Sequence, residues 1–453
     1  MAQLVQRLAE LPNTPEKAAL EHHVTDELDP AEHGQDHLAH ADVGERRSIS
    51  PRPSPANPVT VPGNGHTEVV TGSERGQVGS QVSTTRAADG APLPPIYGLR
   101  MQKERADIVR AGGGTPGGEA AVVAALAWLA RNQNSSGHWN SSQFGSGRET
   151  RVLGHDRGGA GADADTAMTG LALLAFLGAG HTHYTGEYRD TVQKGLAFIL
   201  SQQRDGDLAG NARSFARMYC HGIALFAICE SFAMTGDERI HPYAERGVSY
   251  SVAVQNPNDG GWRYRPRERG DMSQFGWQVM ALKSAELAGI HIPAATVDRM
   301  RSFLEQCSSG RYRGRVAYRP GEFPSRTMTA EGMLCRLFLY PVPNSAALQE
   351  AAQYVSEQLP GEGKANLYYW YYATLAFQQM GGERWQRWNV ALQETLLKSQ
   401  RRSGALAGSW AADTVWGSYG GRVYSTAMAA LCLESYYRYR PLTGEVRQAR
   451  IGH

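Results

Sequence analysis

The sequence predicts an all-α fold in which six helical hairpins close into an α/α toroid, with inner and outer rings of six helices, preceded by a long disordered N-terminal arm. Three observations predict it. From about Pro116 to Pro441 the chain repeats one unit: a helix ending in Gln, a Gly-rich loop, a second helix rich in Ala, Leu and aromatics, and another loop. The terminal glutamines of the first helices fall at Gln133, Gln203, Gln255, Gln306, Gln358 and Gln400, spaced 70, 52, 51, 52 and 42 residues apart, and the second helices start near Asp163, Ser214, Asp271, Arg326, Lys364 and Arg422. The second helices are apolar around most of their circumference, as an inner ring packed on both sides requires, whereas the first keep a polar face for solvent.

Taken in order, the chain divides into an arm and linker over residues 1–110 and a toroid over residues 111–445. A short helix at Ala2–Leu11 fits the pattern. The rest of the arm is polar, with His22, His23, His33, His37 and His40 among acids, and then rich in Pro, Gly, Ser and Thr, so it cannot bury enough apolar surface to offset chain entropy. We assign the histidines to a solvated tail in preference to a metal site. Gly112-Gly113-Gly114 ends the linker, and Thr115-Pro116 opens the first helix with a cap residue and Pro in the first turn. Runs such as TAMTGLALLAFLGAG and STAMAALCLESYYRY then mark the inner helices.

Composition removes several classes of function. The 453 residues are 41% hydrophobic and 20% charged, with net charge +2, so no broad field argues for nucleic acid. Five cysteines, Cys220, Cys229, Cys307, Cys335 and Cys432, lie mostly in apolar helical patterns without CxxC spacing and read as reduced, buried thiols. The opening MAQLVQRLAELP lacks the apolar stretch of a secretory signal, and no apolar run reaches the roughly 18 residues that span a bilayer, which places the protein in the cytoplasm with at most peripheral membrane contact.

Three loops carry a resemblance: Gln133 with Gly137 and Trp139, Gln255 with Gly260 and Trp262, and Gln400 with Gly404, Gly408 and Trp410. They resemble the QW repeats of squalene and oxidosqualene cyclases, and the chain looks similar to bacterial prenyltransferase and squalene oxidase repeat proteins of the terpenoid cyclase and protein prenyltransferase superfamily. The loops have a structural logic of their own, since Gly ends a helix, Trp covers the loop and the Gln amide bonds neighbouring backbone. The resemblance implies an aromatic-lined central cavity binding an apolar, isoprenoid ligand, although only one of the two barrels of a triterpene cyclase is present.

The resemblance also nominates residues. Asp163-Ala164-Asp165-Thr166-Ala167 is similar to the cyclase motif Asp-x-Asp-Asp-Thr-Ala but one carboxylate short, so Asp163 and Asp165 are candidate acids, with helix capping the preferred reading. Thr327-Met328-Thr329-Ala330-Glu331 resembles Asp-Cys-Thr-Ala-Glu with the acid replaced, leaving Glu331 as a polar group at the ring interior, or a partner for Arg326 or Arg336. The Asp-x-Cys zinc pair of prenyltransferases is represented by Asp271-Met272-Ser273, where Ser stands for Cys, so neither metal nor cofactor is expected.

His221 is a candidate proton shuttle or a hydrogen-bonded core residue, and Asp271 caps its helix or lines a pocket. Tyr219, Trp277, Tyr368, Tyr371, Tyr372 and Tyr424 are the candidate aromatic lining. Three readings follow: a cyclase-like toroid binding an isoprenoid; a noncatalytic scaffold for a protein partner; and a carbohydrate-active lyase or hydrolase using Asp271 and Glu331 as paired carboxylates, with His221 or a Tyr as base.

Overall fold

The computed structural model describes residues 93–102, 105–148 and 157–439; the predicted arm up to residue 92, with its five histidines and the helix at Ala2–Leu11, lies outside them. The described residues hold fourteen α-helices: α1 (Arg105–Ala111), α2 (Pro116–Arg131), α3 (Asp165–Gly178), α4 (Arg189–Gln202), α5 (Ser214–Thr235), α6 (His241–Val254), α7 (Met272–Leu287), α8 (Ala294–Gln306), α9 (Arg326–Leu339), α10 (Ser345–Val355), α11 (Leu367–Met380), α12 (Gly382–Ser399), α13 (Gly417–Leu433) and α14 (Ser435–Arg438). The odd-numbered helices α3 to α13 each contact the next, and α13 returns to α3, which closes the inner ring. The even-numbered helices α2 to α12 pack outside them, and α12 meets α2. The protein is a six-hairpin α/α toroid.

Capping chemistry sets the inner-helix starts. Asp271, Ser325 and Asn366 each accept a backbone N–H from the first turn of α7, α9 and α11. A 3-10 turn at Ala160–Asp163 delays α3 to Asp165. In α13 the backbone breaks at Gly421, with φ +70° and ψ −166°, so the regular helix resumes at Arg422. A two-residue antiparallel hairpin, β1 (Ser308–Ser309) with β2 (Arg315–Val316), decorates the loop before α9.

The Gln-Gly-Trp loops are the joints of the ring. The amides of Gln133, Gln203, Gln255 and Gln400 donate to Thr191, Tyr243, Thr296 and Ala121 carbonyls, each on the following outer helix, at 2.8–3.3 Å. Gln400 thereby joins the last outer helix to the first. The indoles of Trp139, Trp262 and Trp410 donate to the Leu129, Ser251 and Leu396 carbonyls in the last turns of the outer helices. A Cβ on Gly137, Gly260 or Gly408 would sit 2.1–2.3 Å from a carbonyl of the next outer helix, so the loop backbone rests directly on that helix.

At the C-terminal end of the inner helices a 3-10 helix, Pro95–Met101, seals the ring. Arg100 and Arg438 both reach Glu230, at 2.8 and 3.3 Å, and all three side chains are fully buried. Burial alone would raise the Glu230 pKa, but the two guanidiniums hold it below its ordinary value. One helix segment, Phe215–Thr235, is long and apolar enough to cross a membrane by composition; it is an inner-ring helix, 94% buried by its neighbours.

Candidate functional site

The opposite end of the ring, where the inner helices begin, holds a cavity of about 150 Å³. An aliphatic wall comes from Ala164, Ala167, Met168 and Leu171 of the first hairpin with Ile223 and Met328. The rest of the wall includes Arg157, Tyr219, Ser273, Trp277, Tyr318 and Tyr368; the lining is mostly apolar, and the hydroxyls of Tyr219, Tyr318 and Tyr368 bond other side chains. Trp277 stacks on Tyr371 (centroids 5.9 Å, 17°), and Tyr368 and Tyr372 meet Trp277 edge-on, closing the depth of the cavity.

Two carboxyl groups lie one hydrogen bond behind that wall. Asp271 caps α7 by accepting from Gln274 N at 2.9 Å, and its Oδ1 also accepts from Ser273 Oγ at 2.8 Å, while Tyr219 OH and Ser273 Oγ are 2.7 Å apart. Its Oδ2 lies 3.3 Å from Arg263 Nε without an aligned hydrogen bond. Glu331 accepts from Gly276 N at 2.9 Å and from Tyr368 OH at 2.7 Å. The notch it occupies exists because residue 276 is Gly: a Cβ there would sit 2.3 Å from Glu331 Oε1. Both carboxyls are fully buried. Desolvation pushes the Asp271 pKa up despite its backbone bond and Arg263, and pushes Glu331 well above its ordinary value, with the Asp271 charge adding to the rise.

The other candidates sit elsewhere. Asp163 pairs with Arg213 at 3.0 Å on the surface. Asp165 Oδ1 accepts from Ser141 N and Oγ, at 2.7 and 2.9 Å, which ties the first loop to α3 and turns the carboxylate away from the cavity. His221 is buried, accepting from Leu208 N at Nδ1 (3.2 Å) and bonding Ser251 Oγ through Nε2 (2.8 Å). Desolvation lowers its pKa to about 4. The same loop N–H is received by Thr169, Thr329 and Thr426 in three other hairpins, so His221 occupies the position those threonines hold. Tyr219, Trp277, Tyr368 and Tyr424 line the cavity, whereas Tyr371 and Tyr372 are buried outside its lining. Arg326 pairs with Glu357, and Arg336 with Glu305 and Ser308, so neither forms the ion pair with Glu331 considered from sequence. Among the described residues no three His, Cys, Asp or Glu side chains converge on a metal position.

No protein-family model matches the chain, and no curated protein matches its sequence. Solved structures similar to it include the GH76A α-1,6-mannanase from Salegentibacter sp. HEL1_6, 11% identical, covering 71% of this chain and 98% of that one with a TM-score of 0.48. A glycoside hydrolase family 76 mannosidase from Bacteroides thetaiotaomicron VPI-5482 is 11% identical over 74% of this chain and 100% of its own, with a TM-score of 0.47. An α-amylase from Clostridium perfringens is 10% identical over 70% and 97%, with a TM-score of 0.46. Inactive variants of the Salegentibacter enzyme, solved with α-1,6-mannotriose and α-1,6-mannotetrose, are altered at two successive aspartates, and this sequence contains no Asp-Asp pair.

These structures are sugar-acting enzymes, and the expected kinship with terpenoid cyclases and prenyltransferases is corrected accordingly, together with the isoprenoid ligand as partner. The physical reason the QW-like loops misled is visible in the ring: Gln, Gly and Trp perform joint chemistry between helices, which is indifferent to what the cavity holds. The acid positions agree with the correction, because Asp165 is committed to Ser141 and Thr327 lines the cavity where the cyclase motif has Asp.

Sequence reading missed Arg157, Tyr264 and Tyr318. Tyr264 OH and Tyr318 OH are 3.0 Å apart, and Arg157 Nη1 donates to Tyr264 OH at 2.9 Å. All three belong to irregular loops, where no periodicity reports which way a side chain faces.

Proposed function

We propose that the chain is a carbohydrate-active enzyme that seats one sugar ring in this cavity and cleaves a glycosidic bond by acid catalysis, with Asp271 and Glu331 as the proton-handling pair. The observation that carries the reading is the placement of these two buried carboxyls, each joined by one hydrogen bond to a hydroxyl of the cavity wall, Ser273 and Tyr368. A cavity of about 150 Å³ is the size that takes a six-membered ring. The Trp277 and tyrosine faces suit the apolar face of a pyranose, and hydroxyl tips supply the few polar contacts that orient it. Tyr424 OH, buried in the lining, has no hydrogen-bond partner among the described residues and is available to a sugar hydroxyl.

In this reaction the bond from the anomeric carbon to the bridging oxygen breaks, and that oxygen takes a proton. Water adds to the anomeric carbon and returns a proton to the enzyme. Asp271 and Glu331 exchange these protons with the bound sugar through the hydroxyls they bond, Ser273 Oγ and Tyr368 OH.

The test is incubation of the protein with a panel of neutral and acidic oligosaccharides, with products read by mass spectrometry. Asp271→Asn and Glu331→Gln should each lower turnover by roughly 100-fold or more with little change in melting temperature, since Asn also caps helices well. Binding without cleavage would remove the acid pair, and failure to bind any oligosaccharide would remove the whole reading.

A further inference from the structure

Resting on that reading, we infer that the sugar carries an anionic group, carboxylate or sulfate, which seats on Arg157. Among the described residues Arg157 is the charged residue of the cavity lining, and no carboxylate lines it. Its guanidinium is set by Tyr264 OH at 2.9 Å and lies 5.3 Å over the Tyr264 ring and 5.5 Å over the Phe215 ring, and it forms no ion pair among the described residues. A half-buried guanidinium held by aromatic rings and a single phenol retains donors facing the cavity side, and its planar fork matches an oxyanion.

The rim extends the same preference. The loops over residues 255–271 and 307–325, which enter α7 and α9, carry Arg263, Arg265, Arg267, Arg269, Arg311, Arg313, Arg315 and Arg319 against Asp259, Glu268, Asp271 and Glu322, in a chain whose total net charge is only +2. Of these arginines, Arg265 and Arg269 are exposed and make no ion pair among the described residues, whereas Glu350 sits against the second loop and Arg315 helps hold its carboxylate charged. A polymer of acidic sugars would therefore meet cationic side chains at the rim and again inside the cavity, and its affinity would fall with salt.

The test is calorimetric titration of the protein with a uronate oligomer, a sulfated oligosaccharide and a neutral mannooligosaccharide of equal length, at low and high salt. The expected result is binding of an anionic oligomer at least tenfold tighter than the neutral one, weakened by salt, and weakened at least tenfold by Arg157→Met, a larger loss than the neutral oligomer shows. Arg157→Gln, which keeps a donor for Tyr264 without the charge, should give the same loss if Arg157→Met proves unstable. Tightest binding to the uronate identifies the carboxylate, and to the sulfated sugar the sulfate. Equal binding of neutral and anionic oligomers would overturn the inference and leave the carbohydrate reading standing, whereas no binding of any would overturn both.

Discussion

Glu331 and His221 are polar residues on apolar helices, and their neighbours assign them different roles. His221 answers a loop N–H that threonine answers in three other hairpins, a role hidden in the sequence because the substitution breaks the pattern. Glu331 stands two residues after Thr329, as Leu171 and Ile223 stand two after Thr169 and His221, and those two line the cavity; helical register therefore points all three inward. Because the folded-state pKa of Glu331 is raised, the native state binds its proton more tightly than the unfolded chain does. Its charging then costs stability progressively as pH rises above the ordinary value of 4.5. Glu331→Gln keeps an acceptor for Gly276 N and removes that cost. Melting temperature measured from pH 4 to 9 should fall less steeply with rising pH in the variant, and a parallel decline in both proteins would show that the cost lies elsewhere.

Hairpins are joined by backbone as much as by side chains. Gln400 bonds Ala121 O and Gly408 O, so one amide links the sixth outer helix, its own loop and the first outer helix. Gln400→Ala should cost about 1–2 kcal/mol of unfolding free energy, the range for losing buried polar partners. Gly408→Ala should cost more, since φ is +94° and the new Cβ would sit 2.1 Å from Ala124 O. Chemical denaturation of the two variants checks the order; a loss for Gln400→Ala equal to that of an exposed outer-face glutamine would deny it a joint role. The glutamine spacing was readable in sequence because four of the outer helices end in the same Gln joint, whereas α10 ends at Val355, before Gln358. The fourth hairpin departs from it: Gln306 turns back to Asp259 O, and Glu350 instead receives Arg311, Tyr312 and Gly314 N–H groups.

On the scale of the whole molecule, the ring has one sealed end and one hollow end. The seal includes Arg100, from a segment that the sequence places in the arm and linker, and it shares Glu230 with Arg438 from the far end of the chain. Arg100→Ala leaves the buried Glu230 with Arg438 and the Tyr439 hydroxyl and should destabilise by roughly 3–5 kcal/mol, as removal of one member of a buried ion pair does. Thermal unfolding measures this, and a loss under 1 kcal/mol would mean that the seal is incidental to the ring. The sequence by itself determined that six helical pairs form and which member of each pair is inner, because both follow from periodicity and capping between residues a few positions apart. What the hollow end contains was decided only in three dimensions: Asp271, Glu331 and Arg157 come from different hairpins, and although Asp271 bonds Ser273 nearby, Glu331 and Arg157 find their hydroxyl partners, Tyr368 and Tyr264, 37 and 107 residues away.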